Sequence, residues 1–452
     1  MSSPHSAGSE AFGHLWSTPE ASALFSDEGR TQAWLDILAA LAQAQAEVGL
    51  IPAAAAQDIR AHADVSRIDL AFVAEQTRAS GHSTLGLIRA LSQVLPAGSR
   101  EWVYYGATVQ DVSDTWFSLI FRTVGDIAQR DVTRMRDQAL ALAGQYRDTP
   151  MCGRSHGQPG LPITFGFKAA VWAAELDRHL ERLRQGRRRW EVVQLGGALG
   201  SMEFWGSQAL DLLAAFARQL GLGVPVVPWL TARDGVAEFL WLLAAISATA
   251  GKIGNEVYEL QRPEIGELRE SFTPGTVGSI TMPHKRNPEI SEHLVTLARV
   301  IRAQAAVGVE GMVCEHERDG RAWKAEWLVV PEASMAFAAC AAAGAALLDG
   351  VQASPERMAA NIREHRGYLL SEPVMRALAT RIGKHSAHDR VYAAAIRGLE
   401  AGQDFRTAMR ADPQLDAVPD AELDEALQVQ SALGACAAFA DRARRVCGEA
   451  GQ

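Results

Sequence analysis

Aromatic side chains make up only 7% of the sequence although 48% of it is hydrophobic, and alanine fills the gap. β-rich folds lean on aromatic and β-branched residues, whereas alanine is the best helix former, so this shortage predicts an all-α fold. Positive charge is also short. Lys and Arg total 44 against 53 Asp and Glu, a net charge of −9. That balance excludes a nucleic-acid partner, which calls for a basic surface. The five cysteines (Cys152, Cys314, Cys340, Cys436, Cys447) form no CxxC pair, which argues against a disulfide scaffold and a structural zinc site. A membrane span needs roughly 20 strongly apolar residues. The most apolar run, Ala333 to Leu348, contains Ser334, is bounded by Glu332 and Asp349, and reads as a buried bundle helix. The first residues, MSSPHSAGSEAFGH, lack the basic start and apolar stretch of a secretory signal, so the expected location is cytoplasmic. Phosphate-cradling GxGxxG and GxxxxGKS loops are missing too.

What is present is helical periodicity. A helix is expected from Asp27, with Trp34, Leu38, Leu41 and Val48 on one face and Gly49 as its stop. Further helical patterns cover 68–95, 111–147, 164–185, 234–260, 289–312 and 325–349, with Pro159 and Pro162 marking a turn between two of them. Shorter helices, broken by Gly367, Gly383, Gly402 and Pro413, follow from about 352. The run Arg187-Arg188-Arg189 closes a charged helix and reads as a solvated face that offsets the helix dipole.

One stretch interrupts this regularity. Residues 273–288, TPGTVGSITMPHKRNP, place Ser279, Thr281, His284, Lys285, Arg286 and Asn287 in a long loop between helical patterns. Long loops inside helical proteins are commonly functional, and Gly275 and Gly278 are candidate hinges. Two further polar segments are GATVQD, from Gly106 to Asp111, followed by Asp114-Thr115, and GRSHGQP, from Gly153 to Pro159.

These three segments resemble, in order, the GATSQDxxDT, GRTHGQP and GSSxMPxKxNP motifs of the fumarase/aspartase superfamily, with Val109 and Ile280 standing where serines are usual. Weaker echoes are Gly197-Ala198-Leu199-Gly200, Arg233-Asp234 and His316-Glu317-Arg318-Asp319. The resemblance implies three helical domains: an N-terminal helical domain at 1–106, a central long-helix bundle domain at 107–350 and a C-terminal helical domain at 351–452. It also implies a homotetramer with a twenty-helix core, sites shared between three subunits, a small dicarboxylate substrate, and no metal or organic cofactor.

Taking a proton from beside a carboxylate concentrates charge on a group already negative, so such a site needs donors for the dianionic aci-carboxylate, a base, and an acid for the leaving group. By resemblance Ser279 is the base, while Lys285 and Asn287 bind the substrate carboxylate. Thr108, Gln110, His82 and Arg233 are further substrate-binding positions. His156 matches the general acid of adenylosuccinate lyases, and Glu292, thirteen residues after Ser279, matches the glutamate that orients it. The phosphate grips of those lyases are missing: Leu15-Trp16-Ser17 replaces an Arg-Tyr pair, and Trp323 and Trp327 follow the HERD segment. Ala322 to Trp327 and Gly383 to Asp389 are similar to 3-carboxy-cis,cis-muconate cycloisomerases, but those usually lack the histidine that this chain keeps as His156. The reading is therefore a C–N lyase that releases fumarate from a substituted succinate, such as nitrosuccinate losing nitrite. A cycloisomerase or an adenylosuccinate lyase is the alternative.

Overall fold

The computed structural model describes residues 8–449, apart from 273, 274, 276, 277 and 416. Part of the long loop therefore lies outside the described residues. The fold is all-α: about 70% helix and 4% strand. Five long helices dominate: Val109–Gln145, Phe165–Trp190, Asp234–Gln261, Glu289–Glu310 and Gly320–Gly350. The first has 37 residues, and at 1.5 Å per residue reaches about 55 Å. Most observed helices lie close to their expected bounds. The pattern over 68–95 resolves into two helices, Leu70–Ser80 and Leu85–Val94. Gly81, in the left-handed region at φ 66°, ends the first of them.

One expected turn is a different element. Pro150–Ser155 and Gln158–Thr164 form an antiparallel hairpin, with Pro159 opposite Arg154 and Pro162 opposite Cys152. A two-stranded ribbon tolerates prolines because each strand has a free edge. His156 and Gly157 make its tip, both with positive φ.

The chain divides into two compact units. The first comprises 1–131, 179–250 and 296–342; the second comprises 132–178, 251–295 and 343–452.

In the first unit the scarce aromatics are not scattered. Trp323 packs on Trp327, Trp327 on Trp34, and Trp34 on Trp116, with centroids 5.0, 6.0 and 6.2 Å apart. Phe117, Phe121, Phe239 and Trp190 continue the series. Edge-to-face contacts among the tryptophans and stacked ones from Trp116 through Phe117 to Phe121 add to the area that large rings bury. The tryptophans noted for replacing phosphate grips are thus part of an aromatic core.

In the second unit, the C-terminal helices Ser371–Ile382, Lys384–Glu400, Phe405–Arg410 and Asp420–Ala426 close around Leu378, Val391, Phe405 and Met409. Two helices, Asp234–Gln261 and Gly320–Gly350, are long and apolar enough to cross a membrane by length and composition. Their most apolar windows are 72% and 67% buried inside the fold, as core helices would be. The basic run is ion-paired: Arg187 to Asp126 and Glu191, Arg189 to Glu238.

Candidate active site

In the first unit the segment from Gly106 to Asp114 leads into the helix Val109–Gln145. Its loop is held from behind by Asp111, which is buried and accepts four hydrogen bonds: from Thr108 N, Gly196 N, Gly197 N and Gln194 Nε2, at 2.7–3.1 Å. Burial pushes the Asp111 carboxyl up to about 6, against the pull of those donors. Thr108 Oγ1 accepts from Arg318 Nη1 at 2.7 Å, and Gln110 Oε1 accepts from Arg318 Nε at 3.2 Å. Arg318 was visible in the sequence only as part of an echo; the tight turn at His316, φ 58°, brings it here. Tyr104, which also bonds Thr84 and Thr108, has its phenol pushed well above the ordinary range by burial. Thr84 Oγ1 in turn meets His82 Nδ1 at 3.2 Å. His82 itself is exposed, directly after the helix Leu70–Ser80.

Arg233 is enclosed by the first unit. It is 1% exposed. Its guanidinium pairs with Asp114, at 2.6 Å from Nη1, and with Glu326, at 3.0 Å from Nε and through Nη2 as well. Burial alone would favour the neutral guanidine, but the two carboxylates outweigh it and keep Arg233 charged. Expected among the substrate-binding positions, Arg233 is the buried cation of a cluster with Asp114 and Glu326. Val109, in a usual serine position, is buried at the start of the long helix.

In the second unit Ser279, Lys285 and Asn287 share one loop, which closes on itself. Met282 N donates to Ser279 Oγ at 3.0 Å. Asn287 Nδ2 donates to Gly278 O at 2.8 Å and to Glu289 Oε1 at 3.2 Å. Gly278 is required there, because a Cβ would sit 2.7 Å from Lys285 O. Glu270 pins the loop's base by accepting from Ile290 N and Ser291 N, at 3.2 and 2.6 Å, at the start of the helix Glu289–Glu310. Carboxylates suit that end of a helix. Arg286 lies 4.3 Å from the centroid of Phe272. Lys285 and Ile280 are exposed, and Ser279 is half-buried. Glu292 is exposed on the first turn of the same helix.

His156 is exposed at the tip of the hairpin. Close to that tip, the first strand is fixed by a clamp that no sequence motif announces. Arg154 forks onto Glu267, at 2.8 and 3.0 Å, and Asn361 Nδ2 donates to Glu267 Oε1 at 2.8 Å. Cys152, buried beside it, has its thiol pushed up to about 11, chiefly by burial, and is no nucleophile. Among the described residues no group of three or more His, Cys, Asp or Glu converges as a metal would need.

In the first unit the structure gathers Thr108, Gln110, Arg318, Tyr104 and His82. In the second unit Ser279, Lys285 and Asn287 lie on one loop, whose exit helix Glu289–Glu310 carries Glu292 in its first turn, and His156 lies at the tip of the hairpin.

Comparison with known proteins matches residues 16–303 to a lyase family model and residues 367–443 to the adenylosuccinate lyase C-terminus. Among curated relatives, the N-acetyl-S-(2-succino)cysteine lyase of Enterococcus italicus is 39% identical over 93% of both chains. The 3-carboxy-cis,cis-muconate cycloisomerase of Pseudomonas aeruginosa is 36% identical, again over 93% of each. Among solved structures, the 3-carboxy-cis,cis-muconate lactonizing enzyme of Pseudomonas putida superposes with a TM-score of 0.90 at 32% identity, covering 98% of this chain and 100% of that one. With both parts of the chain matched and relatives of this identity along nearly its whole length, the protein belongs to the fumarase/aspartase superfamily and is an enzyme of the fumarate-lyase kind.

Proposed function

We propose that this enzyme eliminates a heteroatom substituent from a C2-substituted succinate and releases fumarate. The reading is supported by two separate observations: a half-buried serine on a braced loop, and an arginine fixed beside Thr108. In the proposed reaction Ser279, acting as alkoxide, removes the C3 proton. The C2–X bond then breaks with its electron pair leaving on X, and the C2=C3 double bond forms. Thr108 and Arg318 hold one substrate carboxylate and Lys285 the other, which carries the extra charge of the aci-carboxylate. His156, oriented by Glu292, gives X its proton. His82 borders the substrate, and Asn287 shapes the loop. This reading keeps a homotetramer with sites shared between three subunits, a cytoplasmic location, and no metal or organic cofactor.

For X we favour a thiolate, as in N-acetyl-S-(2-succino)cysteine, because relatives 39% and 38% identical carry that name. The C–N reading, nitrosuccinate losing nitrite, shares its logic. Thiols ionise near pH 8.5, so thiolate and nitrite both depart with far less protonation than an amine. A cycloisomerase is the second reading, favoured by the relative at 36% identity.

Ultraviolet absorbance of fumarate tests all of these. N-acetyl-S-(2-succino)cysteine, nitrosuccinate, aspartate, adenylosuccinate and 3-carboxy-cis,cis-muconate would be supplied in turn. Fumarate from either of the first two supports the elimination. Cyclisation of the muconate with no fumarate from any succinate overturns it.

A further inference from the structure

Gln110 stands in a motif expected to touch substrate, yet its amide is fully engaged within the chain. Nε2 donates to Asp114 Oδ2 at 3.0 Å and to Leu230 O at 2.7 Å, which uses both of its hydrogens. Oε1 accepts from Arg318 Nε. The side chain is 0% exposed. Its orientation is not interchangeable: a carboxylate and a carbonyl can only accept, and a guanidinium can only donate, so the amide cannot be turned round.

Asp114 is itself immobilised. Its carboxylate receives Arg233 through two nitrogens, at 2.6 and 3.3 Å, and Trp323 Nε1 at 3.2 Å. Arg233 is locked on its other side by Glu326. A continuous series thus runs from Glu326 through Arg233, Asp114 and Gln110 to Arg318 and Thr108.

Along that series Arg318 is the first group with N–H donors left over. Of its five N–H groups, Nε bonds Gln110 and one Nη1 hydrogen bonds Thr108, which leaves Nη2 and the other Nη1 hydrogen. These two form the edge suited to a carboxylate. A network serving stability alone would need no link to that guanidinium.

We propose that Gln110 is a positioning residue that fixes the direction of Arg318, with the buried Asp114–Arg233–Glu326 cluster as its anchor. It acts on substrate only through Arg318. The inference rests on the reading above that Arg318 binds a substrate carboxylate.

The test is a double-mutant cycle of Gln110→Met and Arg318→Met, read by fumarate-release kinetics and by calorimetric binding of succinate. Gln110→Met is expected to raise KM and the succinate Kd about tenfold while kcat changes by less than about threefold. In the Arg318→Met background, adding Gln110→Met should change neither KM nor Kd by more than about twofold. Additive penalties would show that Gln110 meets substrate directly, and unchanged KM and Kd in the single variant would leave it a purely structural residue. Either result overturns the proposal. Should Gln110→Met fail to fold, Gln110→Asn, one methylene too short to span Asp114 and Arg318, is read the same way. Failure of the underlying reading shows in the wild type, as no fumarate from any succinate derivative; failure of the inference shows only in the cycle.

Discussion

The Thr108–Gln110–Arg318 cluster and the Ser279 loop, given different jobs in the proposed reaction, are built in opposite ways. The first is tied into buried charge: Asp111 collects four donors, and Arg233 is gripped by two carboxylates with no exposed side-chain surface to speak of. The second has Lys285 and Ile280 in the open and is held by a few local bonds, among them Asn287 to Gly278 and Ser279 to Met282. Rigid frameworks suit recognition of a fixed group such as a carboxylate. Loops with few buried contacts suit steps that must close over a substrate and then release product. Under the proposed reaction, the contrast places binding and chemistry on differently built parts of one chain.

The comparison can be broken at several points. The largest effect is expected at the loop, where Ser279→Ala should lower kcat by about a thousandfold or more, the loss of a catalytic base; stopped assays of fumarate release would check it. At the rigid cluster, Arg233→Leu should cost about 3–5 kcal/mol of stability in denaturant unfolding, because it strands Asp114 and Glu326 in the interior.

Asp111 adds a pH signature. Its folded carboxyl titrates at about 6, above the ordinary 3.8, so the folded chain holds this proton more tightly than the unfolded one does. The stability it contributes is therefore complete below about pH 4 and is lost as pH rises through 6, by up to about 3 kcal/mol. The stability difference between wild type and Asp111→Asn, measured by urea unfolding from pH 4 to 7, should shrink accordingly as pH rises. A constant difference would count against the buried, protonatable carboxyl.

The smallest effect is assigned to Asn287→Ala. Loosening the loop without removing its base should lower kcat about tenfold and leave the melting temperature nearly unchanged.

The long helices were legible because a 3.6-residue apolar period survives in sequence, as at Val236, Leu240, Leu243 and Ile253. The hairpin carrying His156 was not, since Pro159 and Pro162 signal a turn as readily as an edge strand. Within the site, the residues of the serine loop could be named from their motif, but partners could not. Nothing local says that Arg233 faces Asp114 and Glu326, residues more than ninety positions away on either side. For the same reason Glu267 and Asn361 carry no signal in the sequence, and Arg318 stands out only within an echo of a motif. The tryptophans after the HERD segment stand where phosphate contacts are missing, and burial makes Trp323 a core side chain that also donates to Asp114, a role its position in the sequence does not announce.

The division of labour is tested most directly by measuring the Kd of a succinate substrate for Ser279→Ala and Arg318→Met side by side. The account predicts that Ser279→Ala binds within about threefold of wild type although turnover is almost abolished, and that Arg318→Met binds at least about tenfold more weakly. Unchanged binding by Arg318→Met, or normal turnover by Ser279→Ala, would contradict it.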